Sequence, residues 1–332
     1  MNRLERLLVV VDRGMRSTPA LRRGVELARR ASAALQLCLF DHHPLIDATA
    51  DIVDPEVMRL AKTQFVAERT RWLNQQCDTL VAQGLRVTGE VRWAPALHDA
   101  LLDRVLEHRP DLAIKDADPD SAHAHAWMTA ADWKALRFCP APLMLVRPQS
   151  APLPRRILVA VDTAGDPAQK TALNDALMAM AAQLGLFCDA EVHVAHAFPF
   201  SAPVPERMRG VLSVAYEDMR RRDSEQFHAF AAGHRIAAER RHLLTGEPAV
   251  TIADFARRGD FDLLIVGAVY RSAFDRFFLG STAETLIVQA SCDVLIVKPP
   301  AFPDELAHHV DIEALRQRQA VLQLGSGLAG NA

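Results

Sequence analysis

The sequence comprises 332 residues, of which 50% are hydrophobic and 24% are charged, and its formal net charge is −3 at pH 7. This length and composition are ordinary for a globular protein of two domains and argue against a disordered chain. Because no excess of basic residues is available to attract phosphate backbones, no nucleic-acid partner is expected.

Short apolar runs alternate with amphipathic segments along the whole chain. In the first half, strands are predicted at 7–11, 35–40, 86–93, 112–114 and 143–146, and helices at 19–32, 55–83 and 96–108. In the second half, strands are predicted at 157–161, 191–197, 238–244, 263–266 and 294–297, and helices at 169–184, 211–232 and 249–258. Four glycines are predicted to stop helices: Gly84, Gly185, Gly233 and Gly259.

Three matched segments indicate an internal duplication. Residues 7–12 match 157–162, 110–116 match 261–267, and 142–148 match 293–299, at offsets of 150 or 151 residues. The Pro-rich segment 148–154 is the predicted linker. The predicted organisation is a domain at 1–148, a domain at 155–300 and an extension at 301–332, with one helix at 312–322 and an expected disordered tail at 325–332.

Strands that alternate with amphipathic helices are typical of parallel sheets covered on both faces. The predicted fold class is therefore α/β, with two tandem doubly wound domains. Each domain is expected to have a five-stranded parallel sheet flanked by helices, with ligands bound at the carboxyl ends of its strands.

The loop from Gly267 to Thr282 carries the clearest functional signal. It follows an apolar run that ends at Val266, and it precedes a predicted helix. Gly280, Ser281 and Thr282 place a glycine and two hydroxyls at the helix start, where unpaired N–H groups attract phosphate. A turn glycine followed by an ordinary helix cap is the alternative, and it is the commoner arrangement.

Asp12 and Asp162 close the first strand of each half. A carboxylate at this edge can meet a ribose, a base or hydrated Mg²⁺, or it can form an Asx turn before the next helix. The chain has no G-x-S-x-G, G-x-x-x-x-G-K-[ST], G-x-G-x-x-G or H-E-x-x-H motif. His123 and His125 lack further ligands at fixed spacing, so we assign neither a catalytic residue nor a metal site.

The second half resembles a universal stress protein domain of the UspA type. The resemblance rests on I-L-V-A-V-D at 157–162, G-E-P at 246–248, D-L-L-I-V-G at 262–267 and C-D-V-L-I-V-K-P at 292–299. Members that bind ATP share a G-x-x-G, nine residues, G-[ST] motif, which Gly267, Gly280 and Ser281 match. Tyr270 stands at the second glycine and is expected either to weaken ATP binding or to lie over the ligand as a lid.

The first half resembles the same domain with a rewritten loop. Asp116 stands where the second half has Gly267, and Thr129-Ala130 replace Gly280-Ser281. Because a carboxylate repels phosphate, no nucleotide is expected in this half. Residues 128–137 are similar to the same segment of UspE-like tandem proteins, and the resemblance extends over about residues 4–300.

The resemblance implies a regulatory or protective stress-response protein that binds an adenine nucleotide, ATP with Mg²⁺, in its second domain. It implies the following nucleotide-binding residues: Ala160 and Asp162 beside the adenosine, Ala197 at the base, Val266 and Gly267 at the ribose and phosphates, and Gly280, Ser281 and Thr282 at the phosphates. An interaction scaffold without nucleotide and a slow ATPase are the alternatives, and a homodimer is left open.

The cysteines and the amino terminus predict a cytoplasmic protein. The five cysteines are odd in number and form no C-x-x-C pair, which is typical of reduced thiols in the cytosol. The apolar run before Asp12 is too short for a signal-peptide core. No run approaches the roughly 20 apolar residues that span a bilayer, so no membrane segment is expected.

Overall fold

The computed structural model describes residues 4–49, 52–117, 128–164, 167–199, 209–268 and 279–324. The chain divides into two compact units. One unit contains the first half up to Leu153 together with the extension that begins at Ala301, and the other is Pro154–Pro300.

The described elements alternate between strand and helix as the sequence predicts. The strands are β1 (Arg6–Val10), β2 (Ala34–Asp41), β3 (Arg86–Trp93), β4 (Leu112–Asp116), β5 (Leu143–Val146), β6 (Arg156–Ala160), β7 (Glu191–Phe198), β8 (Arg241–Thr245), β9 (Leu263–Gly267) and β10 (Asp293–Val297). The helices are α1 (Pro19–Ala31), α2 (Pro44–Ala48), α3 (Pro55–Ala82), α4 (Leu97–His108), α5 (Ala130–Phe138), α6 (Pro167–Cys188), α7 (Arg209–Gly233), α8 (Pro248–Arg258), α9 (Ser281–Gln289), α10 (Phe302–His309) and α11 (Ile312–Leu324).

The strands of each unit pair in parallel in one doubly wound order. In the first unit the order is β3-β2-β1-β4-β5, and in the second it is β10-β9-β6-β7-β8. Leu7 lies opposite Leu35 and Leu112, and Ile157 occupies the same place in the second unit. The predicted fold class is confirmed. In the second unit the strand order changes direction between β6 and β9, since β7 and β8 lie on one side of β6 and β9 and β10 on the other. Doubly wound folds bind ligands at the point where the strand order changes direction.

The strands are buried on both faces because helices cover the sheets. In β9, Leu263, Leu264 and Ile265 are each fully buried, as consecutive residues can be only when both faces are covered. Helix α1 follows the predicted pattern, with Thr18 as its cap and Leu21 and Leu27 facing the core. The hydrophobic runs of the sequence therefore form the cores that hold the strand ends in place.

One predicted helix stop is wrong. Helix α6 continues past Gly185 to Cys188, and Asp189 adopts the left-handed conformation beyond its end (φ 54°). Gly185 serves close packing instead, since a Cβ on it would lie 2.8 Å from a methyl of Val192 in β7. The predicted strand at 238–244 likewise starts late, because Ala238–Arg240 form a 3₁₀ turn before β8.

Helix α6 also contains an apolar stretch that the sequence analysis did not expect. Thr171–Cys188 is long and apolar enough to cross a membrane by length and composition, with a mean hydropathy of 1.2. Of this stretch, 44% is buried, and Leu177, Ala181 and Leu184 are almost fully buried where the helix packs on the sheet. Its packing as a core helix accounts for the apolar composition.

The extension folds onto the first unit. Its described part contains the predicted helix, α11, and the unpredicted α10, and Phe302, Leu306 and Leu315 are almost fully buried. The Gln323 amide bonds both backbone groups of Trp93, accepting from its N–H at 3.2 Å and donating to its C=O at 3.0 Å. Helix α11 thereby covers the end of the edge strand β3. The predicted tail 325–332 lies outside the described residues.

The linker is anchored to the first unit by a buried arginine. Arg23 in α1 is 1% exposed, and it donates from Nε to the carbonyl of Pro152 at 2.7 Å and from Nη2 to that of Ala151 at 2.6 Å. These charge-assisted bonds hold a segment that has no secondary structure of its own.

Candidate functional site

A cavity of about 440 Å³ opens at the carboxyl ends of β6, β7 and β9 in the second unit. All of the predicted nucleotide-binding residues line it: Ala160, Asp162, Ala197, Val266, Gly267, Gly280, Ser281 and Thr282. Their sequence positions span more than a hundred residues, and the fold brings them to one place. Whether they bind a nucleotide stays a prediction.

The amino terminus of α9 faces this cavity. Gly280 precedes the helix with φ 84° and ψ 137°, a conformation that a side chain would strain, and Ser281 and Thr282 are exposed. Because the cap residue Gly280 has no side chain, it cannot accept a hydrogen bond from the amides of the first turn. These N–H groups and the helix dipole can therefore hold an anion, although Glu284 adds a negative charge in the same turn.

Gly267 makes room for a helix. A Cβ at this position would lie 2.8 Å from Cδ2 of Leu173 and 3.3 Å from Cδ1 of Leu177, two buried side chains of α6 that also line the cavity. The absent side chain thus lets α6 approach the end of β9 closely.

Asp162 lies in a loop whose backbone is pinned by its neighbours. Its exposed carboxylate accepts from the N–H of Ala164 at 3.1 Å, as in an Asx turn. Asn174 on α6 accepts from the Asp162 N–H at 3.3 Å and donates to the Asp162 C=O at 2.9 Å. The Asx turn, one of the two alternatives for Asp162, is therefore present. The exposed carboxylate still borders the cavity.

His196 is a cavity residue that the sequence analysis missed. It is 3% exposed, its Nδ1 lies 3.1 Å from the Val161 carbonyl, and its Nε2 lies 3.0 and 2.9 Å from the two carboxylate oxygens of Asp223 on α7. A histidine inside an apolar strand was the available signal. Its acidic partner, on a distant helix, could not be chosen from spacing.

Two further histidines form a pair that bridges β7 and β8, and neither of them lines the cavity. His193 and His242 stack with ring centroids 5.2 Å apart, and His193 Nδ1 lies 3.0 Å from His242 Nε2. Burial lowers the pKa of His193, and burial, the neighbouring ring and Arg156 lower the pKa of His242. The folded second unit therefore disfavours protons on these rings.

The corresponding cavity of the first unit is about 340 Å³ and carries different groups. Arg6 pairs with Ala34 and Arg156 with Glu191, so Phe40 stands at the place of Ala197. Phe40 lines the cavity and fills space that an alanine would leave open.

The helix terminus of the first unit is capped by its own side chains. Thr129 and Asp132 form a capping box at the start of α5. Lys115, which is buried, pairs with the fully buried Asp132 at 2.9 Å. Asp116, at the place of Gly267, accepts from the N–H of Ala20 at the start of α1 at 2.9 Å.

Two further predictions concern residues that the structure does not describe. Tyr270, and His123 with His125, lie outside the described residues. Among the residues that are described, no group of three or more histidine, cysteine or acidic side chains is placed to hold a metal ion.

Comparison with known proteins identifies the architecture. Residues 154–298, which contain the cavity, match the model of the universal stress protein family. The second unit of the chain is therefore a domain of this family. The resemblance seen in the sequence is therefore confirmed.

Relatives and solved structures match over both halves. Universal stress protein E of Escherichia coli is 27% identical over 318 residues, covering 92% of this chain and 98% of the relative. The structure of a putative universal stress protein from Pseudomonas aeruginosa superposes with a TM-score of 0.74 at 24% identity, covering 95% of this chain and 99% of the other. A universal stress protein from Archaeoglobus fulgidus gives a TM-score of 0.55 at 11% identity over 88% of this chain and 98% of the other. The two structures support the fold.

Proposed function

We propose that this protein acts in the stress response and binds an adenine nucleotide, ATP, in the cavity of its second unit. The observation that carries the proposal is the amino terminus of α9, whose cap residue Gly280 has no side chain and which opens onto a cavity beside Asp162 and Ala197. The cavity has the positive partial charge of the α9 terminus at one end and apolar walls at the other, and this combination suits a ligand with phosphates and a base.

In this arrangement Gly280, Ser281 and Thr282 hold the phosphates through backbone N–H and hydroxyl groups. The ribose and base lie along Asp162 and Ala197, with Ala160, Val266 and Gly267 as the floor. Mg²⁺ would bind mainly through the phosphates, because this cation takes few protein ligands in nucleotide sites. The Asp162 carboxylate borders the same space, and in this proposal it would meet the cation there.

The first unit is proposed to bind no nucleotide. Phe40 occupies the base position, Asp116 brings negative charge to the phosphate position, and the α5 terminus already has a capping box. The protein is thus proposed to act as a nucleotide-binding regulator with one site per chain. The proposal places it in the cytoplasm, since all five cysteines are buried and none of them forms a disulfide.

A pair of matched variants tests this proposal. Ser281 and Ala130 are the first residues of α9 and α5, and both are exposed. An aspartate at the first turn of a helix stabilises the helix, yet in Ser281→Asp it also faces the phosphates. We expect Ser281→Asp to weaken ATP binding at least tenfold without lowering Tm, and Ala130→Asp to leave ATP binding unchanged, as measured by calorimetric titration.

Native mass spectrometry of the purified protein provides an independent check, because a bound nucleotide would add a defined mass. Equal ATP affinity in wild type and Ser281→Asp would contradict the placement at α9. If Ala130→Asp alone lost affinity, the site would lie in the first unit. Absence of ATP binding by the wild type would favour an interaction scaffold.

A further inference from the structure

The peptide plane that joins Val161 to Asp162 is held from two sides. His196 Nδ1 lies 3.1 Å from the Val161 carbonyl, and Asn174 Oδ1 accepts from the Asp162 N–H at 3.3 Å. These two groups belong to the same rigid peptide unit. Its orientation is thus fixed by β7 on one side and by α6 on the other, directly before the carboxylate that borders the cavity.

The hydrogen-bond partners of His196 define its protons. A carbonyl accepts only, so Nδ1 must donate to Val161. A second proton lies between Nε2 and the two oxygens of Asp223, so the His196–Asp223 pair holds two protons in all. Asp223 is 5% exposed, and in the described part of the chain His196 is its only hydrogen-bond partner. Asp223 thereby fixes the imidazole ring in the orientation that brings Nδ1 to the Val161 carbonyl.

The first unit has no histidine at the corresponding strand position. By the strand register that places Phe40 at Ala197, Leu39 stands at the place of His196. Leucine has no polar hydrogen and cannot donate to a carbonyl. In the first unit the Asp12 carboxylate, which corresponds to that of Asp162, accepts a hydrogen bond from Nε of Arg16 at 2.8 Å. The histidine is therefore present only in the unit whose α9-type helix terminus lacks a side-chain cap.

We propose that His196, oriented by Asp223, is a positioning residue that sets the direction in which Asp162 meets the nucleotide. The pair acts through the Val161 carbonyl and makes no bond to the ligand itself. This inference rests on the proposed nucleotide site. The orientation of the Val161–Asp162 peptide plane, on which the inference depends, can also be measured in the ligand-free protein.

Two double variants isolate the single hydrogen bond to Val161. His196→Leu with Asp223→Leu installs the leucine of the first unit and removes the buried charge pair, a replacement that cores commonly tolerate. His196→Asn with Asp223→Leu also removes the charge pair but returns an N–H donor close to the position of Nδ1. The two proteins then differ mainly in whether the Val161 carbonyl has a donor.

In the ligand-free proteins, amide hydrogen exchange at Asp162 and Ala164 is the readout. We expect exchange at these amides to be about tenfold faster in the leucine variant than in the asparagine variant, since one buried hydrogen bond contributes of that order. Amides in β10, which lies away from the pair in the strand order, serve as the control and should exchange equally in both.

With ATP, the leucine variant should bind at least fivefold more weakly than the asparagine variant, and the latter should approach wild type. Equal exchange in the two variants would overturn the inference, and so would unequal exchange with equal ATP affinity. If the wild type bound no ATP, the proposed function would fail by itself, and the exchange data would still decide whether His196 orients the peptide plane. Failure of the leucine variant to fold, beside a folded asparagine variant, would show a structural role only.

Discussion

Gly267→Ala tests the role of the close approach between β9 and α6. The new Cβ would meet Cδ2 of Leu173 at 2.8 Å, Cγ of the same residue at 3.0 Å and Cδ1 of Leu177 at 3.3 Å. Contacts below 3.0 Å force a neighbour to move, and Leu173 has open space on its cavity side. The alanine should therefore push Leu173 into the cavity.

The expected cost follows from this relaxation. Inserting a methyl group into a packed core costs about 1–3 kcal/mol, and a leucine that can shift toward a cavity places the cost near the lower end. A loss of about 1 kcal/mol lowers Tm by about 2–4 °C for a domain of this size. The same movement narrows the cavity, so ATP affinity should fall by about fivefold or more.

Thermal unfolding and calorimetric titration of the full chain measure the two effects. Gly233→Ala is the matched control, because a Cβ there meets nothing within 4 Å and the residue ends α7. Adding Leu173→Val to Gly267→Ala should restore part of the lost ATP affinity by removing the displaced methylene. Wild-type Tm and affinity in Gly267→Ala, or no recovery in the double variant, would refute the steric account.

Three further predictions address stability. Arg23→Met removes the donors to the linker carbonyls and should make the linker several times more sensitive to thermolysin, whereas the exposed Arg22→Met should not; equal cleavage would contradict the anchoring role. Lys115→Met removes the cation beside the fully buried Asp132, which keeps only its hydrogen bonds from Thr129, and should cost about 3–5 kcal/mol in urea unfolding, against about 0.5 kcal/mol or less for the exposed Lys134→Met; a loss below about 1 kcal/mol for Lys115→Met would refute the pairing. The pKa of His242 is lowered in the folded state, so its contribution to stability is present above the unfolded pKa of about 6.5 and is lost as pH falls through the folded pKa. His242→Phe should accordingly show a shallower loss of Tm between about pH 7.5 and 5, and a steeper loss would contradict the assignment.

Much of the fold could be predicted because hydrophobic periodicity and the duplication acted together. Strand β3 was predicted with its observed bounds, and the alternation of elements in one half supported that in the other. Gly84 was correctly expected beyond a helix end, with φ 86°. Gly185 was misjudged since a glycine can serve either conformation or close approach, and the sequence does not say which one a neighbour such as Val192 requires.

The site was predictable to the extent that it lies on strand ends and a helix start. Asp162, Gly267 and Gly280 occupy positions that any doubly wound sheet brings to the same edge. The pair of His196 with Asp223 depends on how α7 packs against β7, which is a tertiary property. No local pattern contains that information, so sequence reasoning named neither residue.

The docking of the extension onto the first unit has a consequence for biosynthesis. A ribosome makes the first half early, yet Phe302 and Leu315, which complete its core, emerge only after the whole second half has been synthesised. The first unit must therefore wait with an unfinished core and an uncovered β3 edge while a later unit folds. A chain that stops shortly after Pro300 would carry an intact second unit and a defective first one, so the damage would appear far along the sequence from the break.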